Sequence, residues 1–142
     1  MMVVASPAYL ERRGTPRVPE DLRAHDCLRY TSSPGSPGTL ASWRFADDVV
    51  VPVDGPLVSN NGDVLRAAAV AGLGLVYVPR YIVGEEVRTG KLVGVLETHV
   101  RDLGGIWAIY PANRHLSAKV RAFVDHLVAW LGDVPPWERC PS

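Results

Sequence analysis

The side chains able to make or break bonds are few, and their spacing works against most reactions. His25, His99, His115 and His126 never stand four residues apart beside a carboxylate, the frame a catalytic zinc needs on a helix. They read as surface or hydrogen-bonded histidines, and no metal is expected. Gly72-Leu73-Gly74 is followed by Tyr77 where a dinucleotide fingerprint places its third glycine, and it comes after a helical stretch instead of a strand. It reads as a helix cap, and no nucleotide cofactor is expected. Ser6 lies between a strand-like and a helix-like stretch, as a nucleophile elbow would. Pro7 follows it, however, where an oxyanion hole takes its N–H, and proline has none. Glu85 and Glu86 are adjacent and so point to different sides of a helix. No catalytic residue is expected.

What remains is neutral and polar. Ser59-Asn60-Asn61-Gly62 follows a short strand and precedes a helix. Unpaired N–H groups and the positive end of the helix dipole at such a place can seat a carboxylate or another anion. Thr31-Ser32-Ser33 stands in the same kind of position after Leu28 to Tyr30. In an open α/β sheet, ligands bind at the carboxyl ends of strands. Each segment also has a plainer reading, a helix N-cap for the first and a surface loop for the second. Together they point to recognition of a small molecule and specify no reaction.

The elements that must position these groups alternate in type. Val3 to Ser6 is a β-branched run stopped by Pro7, and Ser6-Pro7 opens a short helix over 8–13 that Gly14 closes. Pro19 with Glu20 and Asp21 signals a second helical start. Cys27 to Tyr30 is a strand candidate running into a loop of hydroxyls, prolines and glycines over 31–39. Trp43 to Phe45 and Val49 to Val53 form a hairpin about Ala46-Asp47-Asp48, with Pro52 confining the second arm to a sheet edge. A short strand at Leu57-Val58 leads to a helix from Asp63 to Ala71 that is apolar nearly all round. Such a helix is covered on more than one side, by its own domain or by a partner subunit. Leu75 to Val78 is a continuous apolar strand, as expected of a parallel sheet covered on both faces. A helix begins at Pro79, and Leu92 to Leu96 and Ile106 to Tyr110 are further strands. The last helix, capped by Ser117, repeats Val120, Phe123, Val124, Leu127, Val128 and Leu131 at helical spacing. The pattern is α/β.

Charge and length narrow the class. Fifteen basic and fifteen acidic side chains cancel, so the chain lacks the basic footprint of a nucleic-acid binder. With 142 residues it makes one domain or part of a larger one. The uncharged stretch between Arg66 and Arg80 falls short of the ~20 residues a membrane span needs and holds two glycines. Cys27 and Cys140 fit no disulfide framework or zinc ribbon, and they read as reduced thiols of a cytoplasmic protein.

An ordered set of short matches resembles the LysR-type transcriptional regulators. They run from Val3-Val4-Ala5-Ser6-Pro7-Ala8-Tyr9-Leu10 through Thr15-Pro16, Pro19-Glu20-Asp21-Leu22 and His25-Asp26-Cys27-Leu28. Trp43-Arg44-Phe45, Asn60-Asn61-Gly62-Asp63, Leu65-Arg66-Ala67-Ala68, Ala71-Gly72-Leu73-Gly74, Gly90-Lys91-Leu92-Val93 and Tyr110-Pro111 continue it. His115-Leu116-Ser117 and Lys119-Val120-Arg121-Ala122-Phe123-Val124-Asp125 close a similarity that covers about 3–131. No single motif is decisive; the order is.

The resemblance implies an effector-binding domain of the type 2 periplasmic-binding-protein kind, in which two α/β lobes hold a small molecule between them. Residues 1–6 would then be an inter-lobe crossing strand and 7–104 the second lobe. Residues 105–131 would supply the return strand and a helix of the first lobe, and 132–142 a tail. It further implies effector contacts at Thr31, Ser32 and Ser33 and at the crossing strands, Ser6 and Tyr110. These join Asn60 and Asn61 from the strand-end reading. The helix carrying Asp63, Val64, Arg66, Ala67 and Val70 would form a subunit interface in a homo-oligomer. The family's N-terminal helix-turn-helix and most of its first lobe have no counterpart among these residues, so no DNA contact is expected from this chain. A solute-binding protein of the same fold is the first alternative; a secretory signal or lipidated cysteine would favour it, and Met1-Met2-Val3-Val4 carries neither. A small α/β hydrolase is the second, and the missing elbow stands against it.

Overall fold

The computed structural model describes residues 1–31, 42–101, 107–109 and 117–132. The chain divides into two compact units, Met1–Leu103 and Gly104–Ser142, each taken by itself below.

In the first unit β1 (Met2–Ala5) feeds α1 (Pro7–Arg13), and a 3-10 turn (Pro19–Ala24) leads into β2 (Cys27–Tyr30). A hairpin of β3 (Ser42–Arg44) and β4 (Val50–Pro52) follows, then β5 (Val58–Ser59), α2 (Gly62–Val70), β6 (Leu75–Val78), α3 (Arg80–Arg88) and β7 (Val93–Val95). Five strands form one sheet in the order β5-β2-β6-β1-β7. β2 is parallel to β5 and β6, whereas β1 is antiparallel to both of its neighbours, β6 and β7. So four strands point one way and the first strand points the other: the sheet is mixed, where an unbroken apolar run leads one to expect a parallel one.

Alternation along the strands builds two cores. Val3, Ala5, Cys27 and Leu75 face one side, where Tyr9 of α1, Leu22 of the 3-10 turn and Trp43, Phe45, Val51 and Val53 of the hairpin region cover them. Met2, Val4, Leu28, Val76 and Val78 face the other, under Leu65 and Ala69 of α2 and Val83 of α3. Both faces are therefore dry, which is why β1 and β6 read as unbroken apolar runs instead of alternating ones. Each fully buried Val or Leu contributes on the order of 1.5–3 kcal/mol relative to exposure.

The local signals act as expected. The Ser6 hydroxyl accepts the Tyr9 N–H at 3.3 Å, and Asp21 Oδ2 accepts the N–H groups of Arg17 and Val18 at 2.8 and 3.1 Å at the entry to the 3-10 turn. Gly72, at φ +80, ends α2 while the Leu73 N–H reaches back to Ala68 O. The hairpin turns through Asp47 and Asp48, both left-handed, and docks on the sheet where Phe45 stacks on Tyr77 and the Tyr77 hydroxyl donates to Arg44 O. Two glycines admit the start of β2. A Cβ at Gly74 would lie 2.3 Å from Asp26 O, and one at Gly55 would lie 2.3 Å from Cys27 O.

One expectation changes, and one alternative is narrowed: its own unit covers α2 on one side, where Leu65 and Ala69 are buried, while Val64, Ala67 and Val70 face out. The strand expected over Ile106 to Tyr110 is not formed by its described part, since residues 107–109 carry no ladder. A strand exists only with a neighbour to share its N–H and C=O groups, and no strand among the described residues pairs there. Ile106 and Tyr110 lie outside the described residues. In the second unit, α4 (Ala118–Leu131) starts where Ser117 Oγ accepts the Val120 N–H, and it has no buried residue. Phe123 and Val128 on its apolar stripe remain 61% and 65% exposed.

Candidate ligand-binding edge

Strand direction decides which polar groups meet. Because β2, β5, β6 and β7 run together, the residues after each of them gather along one edge of the sheet. Thr31 follows β2, and its N–H donates to Ser59 O at 3.0 Å, which brings it beside the end of β5. Asn60 and Asn61 come next and are exposed. Thr31, Asn60 and Asn61 therefore share one edge, as the strand-end reading required. Ser32 and Ser33 continue from Thr31 but lie outside the described residues, as does Tyr110.

Ser6 does not join them. It ends β1, the strand that runs the other way, and sits on the opposite edge beside Gly72, whose Cβ position is 3.4 Å from its hydroxyl. It is buried, and its oxygen caps α1. A hydroxyl so placed is engaged as a helix cap and does not stand beside Thr31, Asn60 and Asn61. The resemblance puts Ser6 among the effector contacts, but β1 runs against its neighbours and carries Ser6 to the edge away from Thr31 and Asn60. Nothing in a single strand's residues states that direction.

The seat before α2 also differs from a bare helix terminus. Asn61 Oδ1 accepts the N–H groups of Asp63 and Val64 at 2.8 and 3.4 Å, and the Asn61 N–H donates to Ser59 Oγ at 3.1 Å. These N–H groups are spent inside the chain, so an anion cannot take them without displacing Asn61. The donors this turn still offers include the Ser59 hydroxyl proton, the side-chain amides of Asn60 and Asn61, and the backbone N–H of Gly62 at the first position of α2. The turn is held from behind, since a Cβ at Gly62 would meet Ile82 Cδ1 of α3 at 2.7 Å.

Arg66 staples the same two helices. Its guanidinium lies 3.3 Å from Asp63 Oδ1 and 3.4 Å from Glu86 Oε1, and it donates to Ile82 O at 3.3 Å. The second Glu86 oxygen is buried without a hydrogen-bond partner. Of the five α2 residues assigned to an interface, Arg66 is thus engaged within the chain. Val64, Ala67, Val70 and Asp63 lie on the outer side.

The strand-end rule applied to β6 would have added Pro79, Arg80 and Tyr81. They follow that strand onto the same edge, with Arg80 and Tyr81 exposed. Their signal in the sequence is an apolar run broken by proline before a helix, which by itself predicts only a helix start. Cys27 offers no reactivity. Burial drives its thiol pKa up to about 12, with the Asp26 charge adding to the shift. Its sulfur contacts Leu22 O at 3.8 Å. Among the described residues no group of His, Cys, Asp and Glu side chains could hold a metal ion.

A mixed sheet with its first strand reversed and polar residues at the ends of its parallel strands has the open α/β form in which ligands bind at strand ends. The LysR substrate binding domain family model matches residues 1–132. The chain belongs to that family: it is effector-binding-domain sequence of the LysR-type regulators. The HTH-type transcriptional regulator CrgA of Neisseria meningitidis serogroup B is 31% identical over 134 residues, covering 92% of this chain and 44% of the regulator. The regulator PgrR of Escherichia coli is 32% identical over 128 residues, covering 89% and 43%. The solved structure of Neisseria meningitidis CrgA superposes with a TM-score of 0.71 at 28% identity, over 93% of this chain and 45% of that one. The regulatory domain of AphB from Vibrio vulnificus gives 0.66 at 28%, over 91% and 63%. The chain spans less than half the length of these curated relatives. No described helix is long and apolar enough to cross a membrane.

Proposed function

We propose that this chain is the sensing lobe of a cytoplasmic LysR-type regulator and that it binds a small polar metabolite at the edge holding Thr31, Asn60 and Asn61. Residues 32 and 33 extend that edge in sequence. The observation that carries the reading is the Thr31 N–H bond to Ser59 O, which joins two separate strand ends into one polar rim in a chain of this family. The groups there are hydroxyls and amides, which hydrogen-bond carboxylates and hydroxyls alike and transfer nothing. Exposed Arg80, after β6 on the same edge, favours an anionic ligand. The lobe therefore binds without catalysis and needs no cofactor. It makes no DNA contact of its own, and the intact regulator reads DNA through a separate helix-turn-helix.

Effector binding acts by differential affinity for two arrangements of the regulator. The outer face of α2, with Val64, Ala67 and Val70, pairs with a second subunit in the oligomer, and its apolar exposure supports that role. Calorimetric titration against a panel of small carboxylates tests the reading. Binding should be lost in Thr31→Ala and Asn60→Ala and kept in Ser6→Ala at a temperature where all three are folded. A ligand whose affinity falls with Ser6→Ala and is indifferent to Thr31→Ala would refute the assignment of this edge.

A further inference from the structure

On the edge opposite the ligand groups, one hydroxyl ties α1 to the start of β2. Tyr9 is fully buried. Its phenol oxygen accepts the Asp26 N–H at 2.8 Å and lies 3.2 Å from His25 Nδ1. The hydroxyl has a single proton, and Nδ1 can accept it only while the imidazole is neutral with its own proton on Nε2. Charged groups face His25 from α1, from the 3-10 turn and from the entry to β2. Arg13 comes from α1, donating to Ala24 O at 2.9 Å and lying 3.8 Å from Asp26 Oδ2. Asp21 comes from the 3-10 turn, already engaged by the N–H groups of Arg17 and Val18. Asp26 stands at the entry to β2. From β6 the approach is backbone, the Leu75 N–H donating to Asp26 O at 2.8 Å. Burial first and then Arg13 oppose a charge on His25, against the pull of Asp21 and Asp26, and its pKa lies below the ordinary imidazole value.

We propose that the Tyr9–His25–Asp26 junction is an acid-sensitive latch, opened when His25 takes a proton at Nδ1. The new N–H then points at a phenol oxygen that already accepts from Asp26. The Tyr9 hydroxyl proton loses its acceptor inside the core, and a cation sits beside Arg13. A buried donor without a partner is costly, so the strain is relieved by freeing α1 from the start of β2. The sign follows from linkage. An unfolded histidine takes its proton near about pH 6.5, whereas the native one holds out to lower pH. The latch's stabilisation is present above about pH 6.5 and is lost as the pH falls from there through the native pKa.

Two measurements on the whole chain test it. The His25 ring proton is followed by NMR from about pH 8 to pH 5, identified by its loss in His25→Asn. Its midpoint should lie below about 6.5 and move up toward that value in Tyr9→Phe, which keeps the ring and deletes the hydroxyl. The melting temperature should fall on acidification across the same range, and fall clearly less in His25→Asn, which offers an acceptor that cannot be protonated. A midpoint at or above about 6.5 overturns the proposal. So does an equal fall in the wild type and His25→Asn, a comparison that stands even where Tyr9→Phe does not fold.

Discussion

Replacing Asn61 separates a helix cap from a ligand seat. Its amide oxygen takes two N–H groups of α2, at 2.8 and 3.4 Å, and the longer of these contributes little. Asparagine to alanine at an N-cap costs about 1 kcal/mol, within a range of about 0.5–2 kcal/mol, whereas glycine costs only a few tenths. For a unit the size of Met1–Leu103, about 1 kcal/mol corresponds to a fall of roughly 4–8 °C in Tm. Urea titrations followed by far-UV circular dichroism should therefore rank Asn61→Asp near the wild type, Asn61→Gly slightly below it and Asn61→Ala lowest. Asn61→Gly should also gain more stability from added sulfate than the wild type does, because it releases the two N–H groups at the positive end of α2. If Asn61→Ala melts with the wild type, or if sulfate stabilises all the proteins equally, the amide is not holding these donors and the seat is open after all.

Gly74→Ala should destabilise by about 1–3 kcal/mol, since its Cβ would meet the Asp26 carbonyl at 2.3 Å and neither backbone can yield without parting β2 from β6; chemical denaturation measures this. Leu65→Ala should cost about 2–5 kcal/mol as a buried truncation under α2, while Val64→Ala on the outer face should stay within about 0.5 kcal/mol. Val64→Glu should leave the far-UV circular dichroism unchanged and shift sedimentation toward monomer, so an unchanged sedimentation profile would count against the α2 interface. Cys27 should resist alkylation at neutral pH in the native protein and react once unfolded, because its thiol pKa is driven up to about 12. Peptide mapping distinguishes it from Cys140.

Most of the element boundaries were legible because their causes are local. Ser6 before Pro7, Gly72 after α2 and Ser117 before α4 each do what their chemistry at a helix end dictates. The unbroken apolar runs of β1 and β6 announced a sheet buried on both faces, and the two cores bear this out. The family was legible for a related reason, since matches in fixed order preserve spacing even where no motif is decisive. The coverage of α2 was not, because an apolar helix looks alike whether its second face meets its own domain or a partner subunit. Nor was the unpaired state of residues 107–109, since pairing belongs to two segments and their residues describe one.

The sequence alone determined the α/β class, the helix ends, the alternation that sorts side chains between two cores, and the polar character of Thr31, Asn60 and Asn61. The tertiary structure decided which of the polar groups stand together. It reversed β1 against its neighbours, sent Ser6 to the far edge and placed Tyr9 over His25 and Asp26. The physical reason is that side-chain pattern is written along one strand. Direction is set by the hydrogen bonds between strands, and a reversed strand shows the same alternation as a forward one.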